Sequence, residues 1–125
     1  MSDFEPDSLT EQIIGAAIEV HRHLGPGLLE MIYEEALEVE LRLRRMACRR
    51  QVAVEVVYKE HVIKGQKIDM IVEGEVIAEV KSLSKLPEVA TAQLLSYLKS
   101  TGLKRVLLLN FGCTRLVDGI KRISR

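Results

Sequence analysis

The sequence predicts an α/β fold: a mixed β-sheet flanked by helices, with an extra helix at the N-terminus. Three observations lead there. Two stretches of helical apolar periodicity come before any strand, three β-rich runs then follow closely on one another, and a helix separates the third from a fourth, continuously apolar run.

Residues 1–7 read as a polar lead. Ser8 and Glu11 have capping-box spacing, with Thr10 as a rival cap, and Ile13, Ile14, Ala17, Ile18 and Leu24 recur at helical spacing up to Gly25. Gly-Pro-Gly at 25–27 breaks the chain. A second helix is predicted from about Leu29 to Arg45, burying Ile32, Ala36, Val39 and Leu43. Residues 51–58 are β-branched and partly alternating, which predicts a strand, followed by a turn region with a short strand at Val62–Ile63. Residues 67–72 and 76–80 predict two strands joined by a tight turn at 73–75. Pro87 opens a helix that Gly102 closes, and residues 105–111 have the unbroken apolar character of a central strand. The tail adds a short strand or a helical turn. A helix between the third and fourth strands permits a parallel crossover, which makes the sheet mixed.

Length and composition predict one domain over residues 1–125, since 47% of residues are hydrophobic and 29% charged. Formal net charge is zero, so any site for a polyanion must come from local charge. Cys48 and Cys113 stand apart with no metal-binding spacing, which predicts two reduced thiols. No apolar run approaches the ~18 residues that span a bilayer. The N-terminal "MSDFEPDSLTEQ" is acidic, so a cytoplasmic protein is expected.

The most informative stretch is "GEVIAEVKSL" at 74–83, an apolar strand that carries Glu79 and Lys81 near its far end. If residues 73–75 form the turn, Asp69 falls opposite Glu79, and Asp69, Glu79 and Lys81 share one face of the sheet. A two-residue turn would reverse that parity. Converging carboxylates on a rigid hairpin suit a hard cation such as Mg²⁺ or Mn²⁺, and a nearby lysine suits phosphate charge. A cross-strand ion pair on a solvated face is the plainer alternative.

Asp69, nine intervening residues and then Glu79-Val80-Lys81 resembles the active-site signature of the PD-(D/E)XK nuclease superfamily. The element order αβββαβ, counted from the second helix, is similar to that superfamily's core. "QLLSY" at 93–97 resembles the QxxxY motif of its RecB-like branch. "GLLEMIY", with Gly27, Glu30 and Tyr33, resembles the signature of the GxxExxY protein family. The resemblance implies Asp69 and Glu79 as metal ligands, the Val80 carbonyl as a third, and Lys81 as the catalytic lysine. It also implies that Glu30 reaches the metal directly or through water, and that Gln93 and Tyr97 face the site. For Tyr97, packing on the sheet is an equal alternative, and Tyr33 could bond a site carboxylate or simply pack.

Arginines crowd "RLRRMACRR" at 42–50. They either solvate a helix end or track phosphates, in which case Arg45, Arg49 and Arg50 contact nucleic acid. His21 and His23 point about 200° apart on a helix and read as surface residues. The function expected is hydrolysis of DNA or RNA phosphodiesters with Mg²⁺ or Mn²⁺. The alternative is a catalytically silent nucleic-acid-binding or assembly module. Monomer and homodimer are both open.

Overall fold

The computed structural model describes residues 7–125; the rest of the expected polar lead, residues 1–6, lies outside them. Helix α1 spans Ser8–Leu24 and α2 spans Glu30–Leu43. Strands β1 (Cys48–Tyr58), β2 (His61–Val72) and β3 (Val76–Lys81) follow, then helix α3 (Val89–Thr101) and strand β4 (Arg105–Asn110). A 3₁₀ turn at Leu116–Gly119 leads into β5 (Ile120–Ser124), so the tail supplies both elements offered for it. Asp7, rather than Ser8 or Thr10, caps α1: one of its carboxylate oxygens accepts the Thr10 N–H at 2.8 Å.

The strands form one sheet in the order β1-β2-β3-β4-β5. Neighbours are antiparallel except β3 and β4, which run parallel because α3 carries the chain back across the sheet. The sheet is therefore mixed, and the α/β prediction holds. Each face has its own core. Helices α1 and α2 cover Met70, Val72, Val76, Ala78, Leu107 and Leu109, whereas α3 covers Ile71, Ile77, Val106 and Leu108. β3 and β4 are buried on both faces, which is why their sequences read as unbroken apolar runs.

Helix α2 differs from expectation. Tyr33, Leu37 and Leu41 are its fully buried apolar residues, while Ile32, Val39 and Leu43 lie exposed. The helix carries two apolar stripes, and tertiary packing uses the one that includes the aromatic ring. His21 also departs from its surface assignment. It is buried against Phe111, and its Nε2 lies 2.8 Å from the Cys113 carbonyl oxygen. Both cysteines are free thiols.

A latch fixes the far end of β3. The buried Asn110 accepts the Leu83 N–H and donates to the Leu83 carbonyl, both at 3.0 Å. Phe111 N–H donates to the Lys81 carbonyl at 2.8 Å. The chain passes so close here that a Cβ on Gly112 would overlap the Leu83 backbone, so only glycine admits the crossing. The strand end that carries Lys81 is thereby held from its β4 side.

Candidate active site

The site begins where the β2–β3 ladder stops. Pairing runs Val72 with Val76, Ile71 with Ile77 and Met70 with Ala78 around a three-residue turn, then ceases. The next register position sets Asp69 opposite Glu79, and there side chains replace the backbone ladder. Glu79 Oε1 accepts the Asp69 N–H at 3.0 Å, and Asp69 Oδ2 accepts the Val80 N–H at 2.9 Å. The two carboxylates thus cross the gap between splaying strands in opposite directions. Lys81 Nζ stands 3.9 Å from Glu79 Oε2.

β1 contributes to the same break. Its ladder with β2 pairs Arg50 with Met70 and Val52 with Ile68 but skips Gln51 and Asp69 between them. Gln51 adopts φ 53°, a left-handed conformation uncommon for a non-glycine residue. From there its Nε2 donates to Glu34 Oε1 at 2.8 Å and reaches Asp69 Oδ1 at 3.4 Å. Sequence reasoning missed both Gln51 and Glu34. The only available signal was Glu34 itself, an acid one turn beyond Glu30 on a helix face that goes on to Leu37 and Leu41.

Burial dominates the electrostatics. Glu79 is 2% exposed, and desolvation, followed by the charge of Asp69, lifts its pKa to about 7. Burial also raises the Asp69 pKa, against the Val80 N–H and Lys81, which favour the charged form. Glu30, the exposed first residue of α2, adds repulsion to both carboxylates. The pair is short of positive charge.

Tyr97 lies beneath them, 2% exposed, its hydroxyl donating to the Lys67 carbonyl at 3.3 Å. Burial and then the charges of Glu79 and Asp69 push its pKa up to about 12, against the side chains of Gln66 and Gln93, which lower it. Gln93 and Tyr97, one turn apart, occupy one face of α3. Tyr33 does not join them. Its ring stacks on Phe111 with centroids 4.6 Å apart, and its hydroxyl accepts the Leu28 N–H at 3.1 Å while donating to the Gly25 carbonyl. Gly27, at φ 105°, supplies the backbone conformation of this loop. Ser82 Oγ donates to the Leu28 carbonyl at 2.6 Å, so the loop that leads into Glu30 is tied to the end of β3.

The three arginines differ in what they engage. Arg45 and Arg49 are exposed, whereas Arg50 holds Glu34 and Glu38 at 3.1 Å each. Among the described residues, no three His, Cys, Asp or Glu side chains gather as a ready-made metal cage. The donor chemistry nonetheless fits a hard divalent cation. Two carboxylate oxygen sets face one gap, and their raised pKa values mark a place where a cation would be stabilising.

A family model described as the PD-(D/E)XK nuclease superfamily matches residues 7–123. The chain belongs to the PD-(D/E)XK nuclease superfamily. Membership accords with the mixed five-stranded sheet and three helices, and it assigns the protein a nuclease-like character with nucleic acid as the implied substrate. PD-(D/E)XK nucleases generally use divalent metal ions, in keeping with the oxygen donors at the β2–β3 gap. Neither the curated proteins searched nor the solved structures searched gave a match. Among the described residues, no helix is long and apolar enough to cross a membrane.

Proposed function

We propose that this PD-(D/E)XK protein is a metal-dependent nuclease that hydrolyses phosphodiester bonds of DNA or RNA, acting in the cytoplasm as a single domain. We read it further as a member of the GxxExxY family with the QxxxY motif of the RecB-like branch. One observation carries the functional reading: two buried carboxylates with raised pKa values meet at the mouth of a splayed hairpin, with a lysine ammonium 3.9 Å from one of them.

In this reading Asp69 and Glu79 hold Mg²⁺ or Mn²⁺. The Val80 carbonyl is the third donor. A residue in an extended strand turns its N–H and C=O to the same edge, and the Val80 N–H already faces Asp69. Glu30 completes the set directly or through water. The cation supplies Lewis acidity at the phosphate and favours ionisation of the attacking water. Lys81 stabilises the charge that develops on the phosphoryl oxygens. Gln93 and Tyr97 orient water or substrate beneath the carboxylates. Arg45 and Arg49 offer phosphate contacts, and Arg50 does so only by leaving Glu34 and Glu38.

The test is an incubation of the wild-type chain with single- and double-stranded DNA and RNA, with Mg²⁺, Mn²⁺ or a chelator. Cleavage of at least one substrate that requires the cation is expected. Salt-sensitive binding with no cleavage under either metal would favour the silent module instead.

A further inference from the structure

We propose that α2 is the seam of a two-fold homodimer. Its second apolar stripe, Ile32, Ala36, Val39 and Leu43, has spacings of four, three and four residues. These spacings align the four residues along one narrow face of the helix, which suits a helix-to-helix contact. Most of the stripe is open: Ile32 is 49% exposed, Val39 53% and Leu43 73%, while Ala36 is partly buried where it packs against the core.

The seam fits a second copy running antiparallel. In that register Ile32 lies opposite the partner's Leu43, and Ala36 lies opposite the partner's Val39. Ala36 lines a groove of about 330 Å³ between α1 and α2, together with Val20, Leu24 and Val39, and this groove gives the partner's Val39 a place to pack. Charge selects the same arrangement. Glu35, exposed and without an ion-pair partner among the described residues, falls beside the partner's Arg42. Arg42 is 59% exposed and bonds only its own Glu38. Parallel pairing would instead set Glu35 beside the partner's Glu40, a repulsive contact. Two-fold symmetry repeats the Glu35–Arg42 contact on the other side of the axis.

Light scattering and sedimentation of the full chain test the seam directly. The wild type is expected to pass from 14.1 kDa to twice that mass as concentration rises through the micromolar range. Val39→Glu should weaken association by at least about tenfold. Glu35→Arg and Arg42→Glu should each weaken it, and the two together should restore it. These side chains are exposed, so unchanged circular-dichroism melting at low concentration confirms that the fold survives. A chain that stays monomeric at high micromolar concentration, or a dimer indifferent to Val39→Glu, overturns the seam. A dimer in which the double reversal gives no rescue overturns the antiparallel register. None of these readings depends on nuclease activity.

Discussion

Lys81→Ala is expected to lower metal-dependent phosphodiester cleavage by about a thousandfold while changing folding stability by no more than about 1 kcal/mol. The two effects separate because the ammonium has two different neighbours. In the resting protein it lies 3.9 Å from Glu79, a loose ion pair at the edge of the site. Once the ammonium is lost, Glu79 can take up a proton, which its raised pKa makes easy, so little folding energy is forfeited. The phosphoryl oxygens of the transition state have no such recourse, and they lose a cation placed where their charge grows. Single-turnover cleavage with Mn²⁺, set beside thermal melting of the same variant, checks both halves. A large loss of stability with unchanged cleavage would make Glu79–Lys81 a structural pair.

The metal-free protein should lose stability as pH rises from about 4.5 to about 7, and the cause is Glu79. Its pKa goes from 4.5 as the ordinary value to about 7 in the fold. The folded state therefore binds the proton more tightly than the unfolded chain. The corresponding stability is fully present below pH 4.5 and is lost as pH passes through about 7. A shift of this size corresponds to about 3 kcal/mol at full ionisation. Asp69 moves in the same direction, and its charge raises the Glu79 pKa further, so the two titrate as a pair. Glu79→Gln should flatten most of this slope, and millimolar Mn²⁺ should restore the stability lost near neutral pH. Melting curves across the pH range in chelator and in Mn²⁺ read the effect directly. A Glu79→Gln profile parallel to the wild type would refute it.

Much of the fold was legible because its signals are local. The β2–β3 turn spans three residues in the ladder, so the parity that sets Asp69 across from Glu79 followed from counting. β4 announced itself by being apolar at every interior position. What escaped was decided between elements. Two stripes on α2 compete for the core, and nothing within the helix says that Tyr33 wins by stacking on Phe111, nearly eighty residues away. The arginine cluster could be read as a helix end or as a phosphate track. Neither reading foresaw that Arg50 would enter β1 and turn back to Glu34 and Glu38. Gln51 was invisible for a different reason. Its role at Asp69 depends on a left-handed backbone that no propensity scale assigns to glutamine in a strand. Local patterns thus marked the carboxylates and the lysine, while the groups that hold Asp69 in place emerged only from tertiary structure.

Calorimetric titration of Mn²⁺ into the metal-free protein at pH 7 tests the central claim, that Asp69 and Glu79 form a divalent-cation site. The account predicts one site per chain, proton release on binding because burial raises the pKa values of both carboxylates, and loss of the signal in Asp69→Asn. Absence of binding at millimolar Mn²⁺, or equal binding by Asp69→Asn, would contradict it.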